Sequence, residues 1–194
     1  MILIKDGYLL DPASGYEGLA DILIENDKIK KLYYGGMGNV PEELLSNVEI
    51  IDAEGLYIAP GLVDVHFHGC VGEDFSDATP DGLQAMADYE LSEGVTYICP
   101  AGMTLLEDQL TKICENVAAH RAKETTGAEV VGAHLEGPFL SMAKKGAQNG
   151  DFLHVPDVEM LRRLQAAAQG CVKLVTVAPE EPHGIEFVRQ AAAD

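Results

Sequence analysis

Two histidines and a glutamate stand out by type and spacing: His66 and His68 in "PGLVDVHFHG", and Glu136 in "EVVGAHLEGPF". Both segments are otherwise apolar, the composition of strands built for burial. A buried carboxylate costs several kcal/mol unless it is paired, neutralised or bound to a metal, so Glu136 demands a partner. Side chains alternate faces along a strand. Asp64, His66 and His68 therefore share one face of the first segment, and Gly132, His134 and Glu136 share one face of the other. Two imidazole nitrogens and one carboxylate suit zinc, iron or manganese, with positions left open for water. Such a set supports metal-assisted hydrolysis, in which the ion acidifies water and polarises a scissile carbonyl. H-x-H spacing alone equally fits two hydrogen-bonded histidines, and a lone rim glutamate can be satisfied by backbone donors or an arginine. Position shifts the balance, because both groups lie at the C-terminal ends of their strands, where parallel α/β folds place their sites.

The elements that must hold these residues follow from the pattern. The first part reads as short strands: "MILIKDGYLL", a turn at "DPASG", a hairpin with its tip at Asn26-Asp27, and a further strand in "VEIIDAEGLYIAP". From Pro60-Gly61 onward strands alternate with helices. Thr79 is the expected N-cap of a helix with Pro80 at its first position, Thr104 and Glu107 form an expected capping box, and "PDVEMLRRLQAAAQG" buries its Leu/Met/Ala stripe. Four βα units in succession predict parallel strands with right-handed crossovers, in a doubly wound sheet or a barrel. A whole barrel needs about 250 residues, so four units make half of one.

Composition narrows the partners. Thirteen Lys+Arg against 32 Asp+Glu give a formal charge of −19, which repels nucleic acid and anionic membranes. No signal peptide or spanning segment is evident, predicting a soluble, cytoplasmic protein. Cys70, Cys99, Cys114 and Cys171 lack C-x-x-C spacing and read as small buried hydrophobes. There is no G-x-S-x-G, no G-x-x-x-x-G-K-[ST] and no G-x-G-x-x-G opening a helix, so serine-nucleophile and nucleotide-phosphate chemistries find no support. His134 either orients the site or is a satisfied core histidine, and Asp64 either braces the first-segment histidines or meets backbone donors. His120, His154 and His183 read as ordinary surface residues. Lys144 and Lys145 are candidate attractors of an anion, though adjacent loop lysines commonly face solvent.

"PGLVDVHFHG" resembles the metal-binding first barrel strand of the amidohydrolase superfamily. "HLEGPF" followed by "KKGAQN" and "VTVAPE" resembles, within it, the N-acetylglucosamine-6-phosphate deacetylase family. The resemblance implies an α/β fold: a small β-sandwich portion over residues 1–57, then the first half of a metal-dependent TIM (β/α)8 barrel over residues 58–194. It implies that Glu136 binds the catalytic ion and that His66 and His68 hold a second ion in members with two. Gln148 falls where the family contacts the sugar, and Gly69 and Cys70 would line the same pocket. Relatives such as dihydroorotase and urease bridge their metals with a carboxylated lysine late in the fourth strand; here Lys173 lies at that strand's wrong end, and Glu136 takes the role. The implied reaction is hydrolysis of the acetamide of a small amino sugar phosphate, in a homodimer when full length. The family's proton-shuttling aspartate, two further histidine ligands and phosphate-binding residues are expected beyond Asp194, so no catalytic acid–base residue is expected within the chain, and the 194 residues alone are expected to have negligible activity. The alternatives are an amidohydrolase acting on another amide or cyclic amide, and a non-catalytic half-barrel.

Overall fold

In residues 1–36 and 39–194, which the computed structural model describes, the alternating apolar pattern at the start becomes a sheet. Strands β1 (Ile2–Asp11) and β2 (Tyr16–Glu25) are antiparallel, and β3 (Lys28–Tyr34) returns from β2. The tip is Asn26-Asp27, with φ of 49° and 57°, as a two-residue hairpin turn of the primed type requires. After the short helix α1 (Glu42–Leu45), β4 (Glu49–Asp52) and β5 (Tyr57–Ile58) both run parallel to β1, giving five strands in one sheet. The single strand expected in "VEIIDAEGLYIAP" is thus two, because a turn closed by the Leu56 N–H on the Ala53 carbonyl at 2.9 Å interrupts it. Alternation separates Leu23 from Ile22: Leu3, Leu23, Tyr33 and Val40 form one apolar cluster, and Leu9, Ala20 and Ile22 another. This unit comprises Met1–Pro60; Gly61–Asp194 is a second compact unit.

The second unit follows the predicted alternation, but its long strands are broken into pieces. Its elements are β6 (Leu62–Asp64), the hairpin β7 (Gly69–Cys70) with β8 (Glu73–Asp74), α2 (Pro80–Ser92), β9 (Val95–Ile98), β10 (Ala101–Gly102) and α3 (Glu107–Arg121). Then come β11 (Glu129–Val130), β12 (Ala133–Glu136), α4 (Val158–Ala167), β13 (Val172–Thr176) and α5 (Gly184–Ala191). Parallel ladders run β6-β9-β11 and β10-β12-β13. Backbone bonds carry the array past the breaks, from Cys99 N–H to Asp64 O and from His134 N–H to Pro100 O. Strand order therefore follows chain order, without the reversal that a doubly wound sheet would show. The array ends at β6 on one side and β13 on the other, where Leu62, Val63 and Leu174 are exposed.

The helices pack a core that includes Met86, Ile113, Val117, Leu135, Phe139 and Leu164. Thr79 is the N-cap position of α2 with Pro80 following, although its hydroxyl makes no capping bond, whereas Asp157 caps α4 through the N–H groups of Glu159 and Met160. Thr104 does not cap α3, which starts at Glu107; it is turned inward and only 2% exposed. Cys99 and Cys114 are buried, which pushes their thiols up to about 11 and about 12. No helix among the described residues is long and apolar enough to cross a membrane.

His120 departs from its expected surface position and is buried. It continues the stripe Ile113, Val117, His120, spaced i, i+4, i+7 on the inward face of α3. Burial, aided by Lys123, lowers its pKa from the ordinary 6.5. The unfolded chain therefore binds more protons than the folded one once pH falls through about 6.5, and stability is lost on that descent. Urea midpoints are expected to drop between pH 7.5 and 5.5, with a shallower drop in His120→Phe. An equal drop in both proteins would remove His120 as the cause.

Candidate metal centre

The site is assembled where β6 gives way to irregular chain. Asp64 Oδ1 accepts the His66 N–H at 2.9 Å, which turns the backbone out of the ladder while His66 and His68 stay on its rim. Asp64 thus braces the first histidine through its main chain. His68 is fixed from the neighbouring strand: its Nδ1 lies 2.8 Å from the Ala101 carbonyl, and the Ala101 N–H returns a bond to Phe67 O. A carbonyl only accepts, so Nδ1 carries the proton and the Nε2 of a neutral ring is a bare lone pair.

That lone pair faces a carboxylate. Glu136, the last residue of β12, places Oε2 at 2.9 Å from His68 Nε2 and 3.5 Å from His66 Nε2. Two acceptors this close repel unless a cation, whether proton or metal ion, lies between them. Donors about 2.0–2.2 Å from a tetrahedral zinc are roughly 3.3–3.6 Å apart, and the three donor atoms here all lie within 4.8 Å of one another. His68 also donates its other ring N–H to a carbonyl, the arrangement that orients metal-bound imidazoles. The donor set therefore fits a divalent transition ion, and side-chain exposures of 51%, 35% and 23% for His66, His68 and Glu136 leave room for further ligands.

His134 stands behind this trio as a strut. Its Nδ1 donates to Val65 O at 3.1 Å, and its Nε2 accepts from the Thr176 hydroxyl at 2.8 Å, so one imidazole ties the first, third and fourth strand segments together. Its ring meets that of His66 edge-on, centroids 5.0 Å apart. Burial, first, and then the neighbouring His66 lower its pKa, while its bond to Val65 opposes them. It is both a satisfied core histidine and a brace for the site, so the two readings of the sequence merge. Thr176, opposite Glu136 in the β12–β13 register, escaped notice in the sequence; its signal is the polar residue ending the run "VKLVT".

The other expected site residues are held by contacts of their own. Gln148 is buried: its Oε1 accepts the Thr104 N–H at 2.7 Å and its amide nitrogen approaches Met103 Sδ. Lys145 closes its own loop on Gln148 O at 2.7 Å, while Lys144 is exposed. Gly69 and Cys70 form the β7–β8 hairpin, and Cys70 packs against the core, where burial and the nearby Glu90 raise its thiol pKa.

Residues 57–192 match the model described as the amidohydrolase family. The chain belongs to that family. Among curated relatives, this amidohydrolase is 30% identical over 177 residues to N-acetylglucosamine-6-phosphate deacetylase of Lysinibacillus sphaericus, a match spanning 91% of the chain and 44% of the relative. It is 34% identical over 179 residues to the Bacillus subtilis protein of the same name, spanning 87% and 45%. An N-acetylgalactosamine-6-phosphate deacetylase of Escherichia coli O157:H7 is 28% identical over 142 residues, spanning 73% and 38%. The crystal structure of N-acetyl-D-glucosamine-6-phosphate deacetylase from Mycobacterium smegmatis superposes with a TM-score of 0.84 at 25% identity, covering 100% of this amidohydrolase chain and 51% of that one. The chain therefore spans about half the length of the relatives it matches.

Proposed function

We propose that this chain provides the first half of the barrel wall, and a first set of metal ligands, for an enzyme that hydrolyses the acetamide of N-acetylglucosamine 6-phosphate to glucosamine 6-phosphate and acetate. The observation that carries the reading is the convergence of His66, His68 and Glu136 on one point, with His68 Nε2 2.9 Å from the Glu136 carboxylate. Strand order equal to chain order, with two open edges, supports a barrel. The β-sandwich reading for the first unit rests on the resemblance of its sequence.

In this reading a bound zinc, iron or manganese ion supplies Lewis acidity, polarising the acetamide carbonyl and acidifying water. The chain's own residues set the geometry. Ala101 O keeps the His68 proton on Nδ1, Asp64 fixes the main chain of His66, and His134 holds the histidine segment against β12 and β13. Net negative charge disfavours an anionic sugar phosphate at long range, so in this reading phosphate recognition needs a local cationic pocket or the metal. Homodimerisation and a cytoplasmic location belong to the same proposal.

Two measurements test it. Equilibrium dialysis of the purified chain against zinc or cobalt is expected to retain a divalent ion on each molecule; a chain that retains none defeats the ligand assignment. Acetate release from N-acetylglucosamine 6-phosphate is expected only when the chain is joined to the counterpart of the relatives' second half, with weaker release from the unphosphorylated sugar. Preference for N-acetylgalactosamine 6-phosphate would redirect the substrate, and metal-independent release would end the proposal.

A further inference from the structure

Thr104 links the loop after the second strand segment to the end of the third. Its hydroxyl donates to the main-chain oxygen of Glu136 at 3.3 Å, and its N–H donates to Gln148 Oε1 at 2.7 Å. The pairing of β10 with β12 ends at Gly102 opposite Leu135, and the Thr104 N–H that would continue it toward the Glu136 carbonyl goes to Gln148 instead. The Thr104 hydroxyl takes over where the ladder stops. Gln148, itself held by the Lys145 ammonium on its carbonyl, fixes the Thr104 main chain from the loop beyond Pro138.

We infer that Thr104 is a positioning residue for Glu136, and that Gln148 supports it by holding the Thr104 main chain. This rests on the metal-centre reading above. The carboxylate must hold its place against two imidazoles on another strand, and its reach is set by where its own backbone is pinned. On one side that backbone is registered with Thr176 of β13; on the other, the Thr104 hydroxyl holds its carbonyl where the β10 pairing ends.

The test compares Thr104→Ser with Thr104→Ala, which differ by one oxygen, in the full chain titrated with cobalt. Thr104→Ala is expected to bind cobalt about tenfold more weakly with an altered visible ligand-field spectrum, and Thr104→Ser to stay within about twofold of the parent with its spectrum unchanged. Equal affinities and spectra for the two variants overturn the inference. If Thr104→Ala does not fold, Gln148→Ala is compared with Gln148→Glu, which keeps an acceptor for the Thr104 N–H; equal affinities again overturn it. A parent chain that binds no cobalt instead defeats the metal centre itself, so the two failures are distinguishable.

Discussion

Replacing Glu136 by alanine is expected to weaken divalent-ion binding by about 100-fold or more, beyond the 10–100-fold typical of groups that merely orient ligands. Glu136 is the only anionic member of the cluster. Without it two neutral imidazoles remain, and the charge that offsets the dehydration of a divalent cation is gone. The stability of the ion-free protein is expected to change little. His68 and Glu136 sit 2.9 Å apart and are partly exposed, and a proton shared between them gives an ion pair worth at most about 1 kcal/mol, so the ion-free variant should lose no more than that. Adding ion should then raise the unfolding temperature of the parent alone, by mass action. Parent-like ion affinity in Glu136→Ala, measured by calorimetry, would show that the three donors do not share an ion.

The second large effect lies one residue further on. Gly137 has φ of +102°, where side chains are strained by about 1–3 kcal/mol, and a Cβ there would lie 2.1 Å from Thr104 Oγ1. Gly137→Ala is therefore expected to cost about 3 kcal/mol or more, the range reserved for strain and overpacking together. The two contributions separate in a double variant. Thr104→Ala removes the oxygen that clashes, leaving the backbone strain and a Thr104 Cβ contact at 3.1 Å, so Gly137→Ala should cost less in that background. Urea unfolding provides the comparison; a loss below about 1 kcal/mol in the parent background would mean the turn opens freely.

The sequence exposed the site more completely than its supports. His66, His68 and Glu136 were legible because period-two alternation and chemical type are local properties, and both survive even where β6 ends early at Asp64. Helix α2 was legible through Thr79 and Pro80, and α4 through its apolar stripe. Thr104 was misread because the spacing of threonine and glutamate that marks a capping box arises equally in a loop, and only the fold brings Gln148 to its N–H. His120 was misread by residue type, although its place in the Ile113–Val117 stripe marked it as inward-facing. The His134 strut could not be read at all: its partners Val65 and Thr176 lie on other strand segments.

The wide separation along the chain between His68 and Glu136 bears on how the molecule assembles. A whole βα module lies between these donors, so an ion that joins them closes a long loop, much as a cross-link would, and the entropy of that closure grows only slowly with length. Uptake of the ion is then expected to follow docking of the third segment beside the second, which brings the donors together. The visible spectrum of bound cobalt would then serve as a clock for late, long-range steps in refolding, separate from the faster signal of helix formation.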